Sequence, residues 1–562
     1  MGTGDLLTDL VGKLETGQID RRRFLQAASL LGVSGAAAAF LAACAAPTAS
    51  PSIAPSVGAP PSGAASGSPA ASAGPKLGGV LRSAGETQIP PSFDPHTEDA
   101  AVGGAETTLS QIYDGLLEVG PDASFQPALA ESWEISPDSK VFTFKIRKGV
   151  KFHNGRELTP DDVVYSFDRI RDPNQNHPYR SQYELIQKIE ATDASTVVMT
   201  LDRPYSPFLI RLNHVGASIV PKEEVEKGGF GLKPIGTGPF KYNSHALDDF
   251  LDLEANRDFW RPGLPYLDGL YLKANPDKQA AVLAVRAGEY DMFRDAPAEI
   301  YEELKADSKF STFTGDDYTF SWFQMNAAKV PAFGDERVIQ AINWALNRDE
   351  IAELTWPSLS TPLRGGLLPP SHWAALKEDV YPQQDQAKAK QLLADAGFAD
   401  GFEFTLNTRS DAGSGQFPRL AEVFKQQLAA VGIKVNIVVD PPGVKRMLTF
   451  GPENDSMMQG TPATPEPDDT FHIHYIKGGE RNITNWEDPK VTDLITQAQQ
   501  TSDQATRAGL YQEAQKIVAG IGPLVVMFIA AKYDFSQSFV KGHEFNATSQ
   551  NWRSSRQVWL DK

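Results

Sequence analysis

The chain has 562 residues, enough for several domain-sized cores, and its 41% hydrophobic, 10% aromatic and 22% charged content excludes both a fully disordered chain and a small stapled scaffold. Against 53 basic residues stand 71 acidic ones, a formal charge of −18, which argues against nucleic acid as a partner because phosphate backbones are held chiefly by Lys and Arg. The single cysteine, Cys44, rules out an intrachain disulfide and cysteine-based zinc or iron–sulfur sites.

Asp20-Arg21-Arg22-Arg23-Phe24-Leu25 opens a 20-residue stretch, Phe24 to Ala43, in which only Gln26, Ser29 and Ser34 interrupt apolar or small residues, and it ends Leu41-Ala42-Ala43-Cys44. A basic pair before an apolar run reads as an export signal over residues 1–43; its pattern resembles the twin-arginine type, and Leu-Ala-Ala-Cys resembles a lipobox whose Cys44 is lipidated. An uncleaved membrane anchor is the alternative, weakened by the dominance of Ala and Gly. From residue 45 to 76 every residue is Ala, Pro, Ser, Gly or Thr except Ile53, Val57 and Lys76, so residues 44–76 are expected to be a lipid-anchored cysteine and a tether. As a flexible coil that tether spans roughly 30 Å, and about 100 Å when extended as polyproline II.

Beyond Leu77 the patterns become those of a folded body. Val141 to Arg147 alternates apolar with polar residues, which predicts a half-buried strand, and Asn154-Gly155 predicts a turn. Thr159-Pro160-Asp161-Asp162 supplies a cap, a first-turn proline and two acids for a helix running from Val163 to Ile170. Further on, Ala387 to Ala396 predicts a helix stopped by Gly397, Phe402 to Leu406 a strand, Leu420 to Ala430 a helix stopped by Gly432, and Ile433 to Val439 a second strand. This strand-helix-strand unit implies parallel pairing with a right-handed crossover. Ligands of such sheets sit beyond the carboxyl ends of the strands, which points to Asn407, Thr408, Arg409, Ser410 and Asp411.

Catalytic patterns are mostly absent: there is no Gly-x-Ser-x-Gly elbow, no phosphate-binding loop and no His-Glu-x-x-His, since His543-Glu544 meets Ala547 where the second His belongs. Gly236-Thr237-Gly238-Pro239-Phe240 reads as a structural turn, because Pro239 removes an amide that a phosphate cradle uses. His472 and His474 are a weak metal pair, usable only if both face one side of a strand, so no metal and no cofactor is expected. Tyr318, Trp322, Trp356, Trp373 and Trp486 fall in loops or strand ends, where a large ring plugs a core or lines a cleft, and Trp373 sits in a segment without helical or strand period.

Several blocks, in order, resemble the peptide/nickel class (family 5) of extracytoplasmic solute-binding proteins that serve ATP-binding-cassette importers. They are Ala128 to Trp133, Val141 to Gly155, Leu158 to Phe167, Pro234 to Phe240, Asn256 to Trp260, Pro265 to Asp268, Arg286 to Asp291, Asp335 to Val338, Ala341 to Arg348, Leu392 to Gly397 and Val558 to Leu560. The resemblance implies an α/β, two-lobed fold that closes about a hinge on a solute, with an extra subdomain in the first lobe. It places lobe I at 77–110, 230–318 and 523–562, the subdomain at 111–229, and lobe II at 319–522. It implies Phe93 and His96 in the first lobe, Tyr318 and Trp322 near the hinge, and Trp373, Arg409, Asp411 and Thr461 in the second lobe as solute contacts. The expected partners are a peptide or other polar small solute, with an oligosaccharide among the options, a membrane permease, and the membrane surface through Cys44. A monomer outside the cytoplasm, without enzymatic activity, is expected.

One departure bears on the solute. Peptide-binding relatives carry an Asp shortly before an acidic-Pro pair, to hold the peptide ammonium, and here Ala463 stands in that place. Either the solute lacks a free amino terminus, or Glu466 or Asp468 replaces that carboxylate. Two alternatives to import stay open: an extracytoplasmic glycan hydrolase with paired carboxylates, and a receptor feeding a signalling partner.

Overall fold

Of the five β-sheets among the described residues, the three with seven, six and four strands organise the fold. The computed structural model describes residues 74–562, apart from 87–88, 98–105, 121–123, 176, 275–276, 316–318, 410–415, 441–452, 463, 480, 483–485 and 545–552. The export signal, Cys44, most of the tether, Tyr318, Ser410, Asp411 and Ala463 therefore lie outside the described residues. Residues from Ala73 onward form one compact unit.

The first sheet has seven strands in the order Phe310–Gly315, Lys532–Gln537, Met292–Phe293, Val80–Glu86, Gly269–Ala274, Phe250–Ala255 and Phe240–Ala246. Val80–Glu86 runs parallel to both of its neighbours, and its two faces feed different cores: Leu81 packs with Leu253, Leu270 and Leu272, while Ala84 packs with Val285, Phe293 and Phe535. Ahead of Phe240–Ala246 lies the glycine turn. A Cβ on Gly236 would sit 2.0 Å from the Ile112 carbonyl oxygen, and Gly238 N–H donates to that same oxygen at 2.9 Å. The backbones approach too closely for any side chain, as expected of a structural turn.

The second sheet has six strands in the order Ser360–Pro362, Leu524–Ala530, Thr319–Met325, Ser456–Pro462, Glu403–Arg409 and Lys434–Asp440. Period-two alternation in Thr319–Met325 sends Phe320 and Trp322 to one core and Phe323 and Met325 to the other. Glu403–Arg409 pairs in parallel with Lys434–Asp440 around the helix Gln416–Ala429, so the predicted crossover unit is present. The predicted helix before it spans Gln386–Asp395, with Gly397 at φ 90 just beyond, and Gly432, at φ 92, follows the crossover helix.

Four antiparallel strands, Ala130–Ile135, Val141–Ile146, Thr196–Leu201 and Ile186–Asp193, make the third sheet, covered by the helix Pro160–Arg171. That helix starts as its sequence predicts: Asp162 accepts from Thr159 N–H at 2.8 Å, closing a capping box.

Sheet membership moves one boundary. Residue 523 was the expected return to the first lobe, yet Leu524–Ala530 hydrogen-bonds to Thr319–Met325 in the second sheet, and only Lys532–Gln537 joins the first. All seven residues of Leu524–Ala530 are buried, so this apolar run suits a strand covered on both faces. Gly315 thus ends a strand of the first sheet and Thr319 begins one of the second, while Ala530 ends a strand of the second sheet and Lys532 begins one of the first.

Candidate functional site

At the hinge-side end of the second sheet, antiparallel register places Thr461 opposite Phe320. The Thr461 hydroxyl receives Trp322 Nε1–H at 2.8 Å and Arg481 Nη1–H at 2.5 Å, and lies 3.2 Å from His474 Nε2. A hydroxyl has one proton and two lone pairs, so with both acceptor positions filled its proton goes to His474 Nε2. Burial, aided by the Arg481 charge, pushes the His474 pKa well below its ordinary value and keeps the ring the neutral acceptor this network requires.

Immediately after this strand, Glu466-Pro467-Asp468-Asp469 starts the helix Pro467–Tyr475. The arrangement repeats the chemistry at Thr159: a cap, a first-turn proline and two acids facing the helix dipole. Every one of these carboxylates is committed. Glu466 pairs with Arg507, whose guanidinium lies 5.4 Å from the Trp373 ring centre, while Trp373 Nε1 donates to the Pro465 carbonyl at 2.9 Å. Asp468 accepts from Tyr205 Oη at 2.7 Å and from Gln499 Nε2 at 2.8 Å. Asp469 pairs with Arg211 and accepts from Thr464 Oγ1 at 3.0 Å.

Burial sets the electrostatics of this cluster. It pushes Glu466 up to about 7, with the Arg507 charge working in the opposite direction. Asp469 is likewise raised by burial, against the pull of Arg211. Burial disfavours charge on Arg211, but Asp469, Tyr205 and Asp468 together more than offset that and hold its pKa above the ordinary arginine value.

The expected contact residues divide into two groups. Trp322, Trp373 and Thr461 meet in the network of the 461–466 segment, and Arg409 ends the adjacent strand in register with Asp440. Trp322 is wholly buried and Thr461 nearly so, which makes Trp322 a support beneath the strand end. Trp373 and Arg409 keep partial exposure. Phe93 and His96 lie elsewhere, each fully buried. Phe93 packs on Tyr242 and His245, and its carbonyl accepts from Tyr113 Oη at 2.9 Å. His96 Nε2 is 2.9 Å from the Ser218 carbonyl, and burial drops its pKa to about 3. Neighbouring Asp94 takes a two-pronged hydrogen bond from Arg169 at 2.8 and 2.6 Å. Phe93 and His96 thus offer a solute no exposed surface, and the His96 segment fastens the first sheet's body to the subdomain.

His472 and His474 sit on a helix, two residues apart, so they diverge; His472 is exposed and His474 is committed to Thr461. The strand geometry that a metal pair required is not there, and among the described residues no group of three or more His, Cys, Asp or Glu side chains is placed to hold a metal. A cavity of about 250 Å³ between Met325, Phe333, Ile339 and Trp486 lies at the far end of Thr319–Met325 from Thr461, away from this network. Sequence reasoning missed Arg481, Tyr205, Arg211 and Arg507. Only the Pro-Asp-Asp pattern at 467–469, already read as a helix start at 160–162, was available as a signal.

The comparisons with known proteins agree with this architecture. The family model for bacterial extracellular solute-binding proteins, family 5 (middle), matches residues 124–482. The glutathione-binding protein GsiB of Shigella flexneri is 28% identical over 461 residues, covering 79% of this chain and 88% of that protein. Among solved structures, the periplasmic binding protein DppA of Helicobacter pylori in complex with the peptide STSA superposes with a TM-score of 0.72 at 29% identity, covering 87% of this chain and 99% of that one. AgaA of Agrobacterium tumefaciens in complex with agropinic acid gives a TM-score of 0.72 at 27% identity over 86% and 99%. These relatives lend no support to the hydrolase or the sensor alternative. Among the described residues no helix is long and apolar enough to cross a membrane. Fold, ordered motifs and family match converge: the chain belongs to the bacterial extracellular solute-binding proteins of family 5.

Proposed function

We propose that this protein is the lipid-anchored receptor of an ATP-binding-cassette importer, exported by a twin-arginine-type signal, tethered through Cys44, and acting as a monomer that captures a polar organic solute between its lobes without chemistry. Trp373 and Arg409, together with Tyr318 and Asp411, are the contacts proposed for the second lobe and hinge, while Thr461, buried and fully hydrogen-bonded, holds the end of its strand. The ring of Trp373 supplies a stacking face, and Arg409 a forked donor that orients a carboxylate or a similar acceptor.

The solute we propose is one without a free ammonium: an amine-blocked peptide-like compound, or a sugar-bearing one. The observation that carries this reading is the commitment of Glu466 and Asp468. Glu466 is paired with Arg507, and Asp468 is bonded to Tyr205 and Gln499. With Ala463 offering no charge, neither nearby carboxylate is left to receive a cation, and an enclosed ammonium without one costs several kcal/mol.

Matched pairs of short peptides, free and N-acetylated, test this by calorimetric titration and native mass spectrometry. The acetylated member of each pair is expected to bind at least as tightly. Preferential binding of the free amines overturns the solute assignment, and co-purification of free-amine peptides from the native host does the same.

A further inference from the structure

The subdomain and the second sheet's body touch through a short segment of each. Tyr205 and the 3-10 turn Ser206–Asn213 provide one side, and the helices Pro467–Tyr475 and Pro489–Gln499 provide the other. Polar contacts span the junction: Tyr205 Oη donates to Asp468 Oδ2 at 2.7 Å, Ser206 Oγ donates to the Ala498 carbonyl at 3.1 Å, and Arg211 pairs with Asp469. Arg211 also donates to Tyr205 Oη at 3.3 Å and to Gln182 Oε1 at 3.2 Å. The phenol thus receives from a guanidinium and gives to a carboxylate, an arrangement that strengthens both hydrogen bonds.

These groups are not needed to build either body. The apolar cores on the two sides are separate, one holding Phe142, Phe208 and Leu212, the other Phe471, Tyr475 and Ala498. What the contacts join is two bodies whose linked residues lie 263 and 292 positions apart in the chain. The charged partners are largely hidden here, with side-chain exposures of 16% for Arg211 and 14% for Asp469. Parting the two bodies returns both charges to water, and bringing them together requires that each find its partner. The added hydrogen bonds from Tyr205 to Asp468 and from Arg211 to Tyr205 offset that desolvation cost in the shut arrangement, and none of them involves a solute.

We propose that Tyr205, Arg211, Asp468 and Asp469 form an interlobe latch that stabilises the shut clamp before solute binds, which makes them positioning residues for capture; this inference rests on the two-lobed capture proposed above. The latch occupies the same helix start whose preceding strand carries Thr461, so closing it also sets the segment that faces the solute. Apparent affinity scales with the fraction of receptor already in the binding-competent state, so a latch that raises this fraction tightens binding without touching the solute.

The test uses the full chain with Cys44→Ala and no solute. Nitroxides at Glu131→Cys on the subdomain and Glu353→Cys on the second body, both exposed positions, report the interlobe distance by pulsed electron resonance. The parent is expected to show mainly the short distance. Arg211→Met is expected to shift the ratio of long to short distances by about tenfold or more, because it strands the Asp469 carboxylate in the shut state only. Tyr205→Phe keeps the ring and removes one hydrogen bond, and is expected to shift the ratio the same way by a smaller factor. Adding Asp469→Asn to Arg211→Met is expected to change the ratio by less than the two single effects combined.

A parent already open without solute overturns the proposal. So does an unchanged distance distribution in Tyr205→Phe, which decides the matter even where Arg211→Met fails to fold. Because no solute enters the measurement, a failure of the solute assignment leaves this result intact, and a protein that latches yet binds no solute of any class refutes capture and not the latch.

Discussion

The Tyr205 phenol donates to Asp468 Oδ2 at 2.7 Å across 263 residues of chain. Asp468 is wholly buried, and with Glu466 and Asp469 it forms a helix start in which each carboxylate answers to a different partner: Arg507, Tyr205 and Arg211. First-turn acids stabilise a helix through its dipole even when solvated, so the extra investment here serves contacts between elements distant in sequence. Two of those contacts reach the subdomain and the third supports Trp373, which ties the segment proposed to face the solute and the junction of the two bodies to the same three carboxylates.

Thr461→Val is the sharpest test of the strand-end network. It keeps shape and removes the acceptor for Trp322 Nε1 and Arg481 Nη1, leaving a buried indole N–H unsatisfied. Such a loss costs about 1–3 kcal/mol, so chemical denaturation is expected to show a lowered midpoint with an unchanged slope. Thr461→Ser retains the hydroxyl and is expected to recover most of the difference.

Asp94→Asn tests how the subdomain is fastened. Asp94 and Arg169 have side-chain exposures of 9% and 10%, and their forked pair links the loop after Val80–Glu86 to the helix Pro160–Arg171. Removing one charge strands the other, at a cost on the order of 3–5 kcal/mol. Calorimetry is expected to show the variant's transition at a lower temperature than the parent's, and hydrogen exchange to show the subdomain sheet losing protection first. Equal loss of protection in the six-stranded sheet overturns this assignment.

The parts of this fold legible in the sequence are those specified locally. Gln386–Asp395, Glu403–Arg409, Gln416–Ala429 and Lys434–Asp440 follow from apolar period, caps and terminating glycines, all within a few residues of the features they control. The resemblance puts the return to the first lobe at residue 523, but a uniformly apolar run such as Leu524–Ala530 fits the interior of any sheet, and only its register against Thr319–Met325 shows that it lies in the second. The candidate site divides the same way. Trp373 stood out because its segment lacks period, whereas the Tyr205–Asp468 and Arg211–Asp469 contacts leave no local trace in either stretch of sequence. Only the family resemblance points to Phe93 and His96 as contacts, and Tyr242, His245 and the Ser218 carbonyl cover them.

Histidines that the fold holds neutral predict a steep loss of stability in mild acid. Burial lowers the pKa of His96 and His214 to about 3, and of His153, His177 and His372 to about 4, from an ordinary value of 6.5. Because the folded state holds these rings neutral and the unfolded state protonates them, their contribution is fully present above pH 6.5 and is lost as pH falls from there toward 3–4. Each ring adds a slope of up to about 1.4 kcal/mol per pH unit within that window. The melting temperature is therefore expected to drop steeply below pH 6, where the five rings together outweigh the opposite slope of Glu466, whose pKa of about 7 takes stability away as pH rises from 4.5 toward 7. His372→Gln is expected to reduce the slope by about one proton, and a flat profile down to pH 4 contradicts the buried neutral assignment.

Two glycines predict opposite signs for the same substitution. Gly401, at φ 75, follows the helix Gln386–Asp395, and a Cβ there would lie 1.9 Å from the Gly432 carbonyl oxygen, a backbone atom at the far end of the crossover unit. Gly401→Ala must therefore both strain its own backbone and push apart the starts of Glu403–Arg409 and Lys434–Asp440, at an expected cost of more than about 2 kcal/mol. Gly509 lies inside the helix Gln504–Ile521, and a Cβ there meets nothing within 4 Å. Gly509→Ala removes freedom from the unfolded chain and exposed backbone from the helix, so it is expected to stabilise the protein by about 0.5–1 kcal/mol. Denaturant midpoints of the two variants against the parent decide both signs, and a Gly401→Ala protein as stable as the parent contradicts the close approach of the two loops.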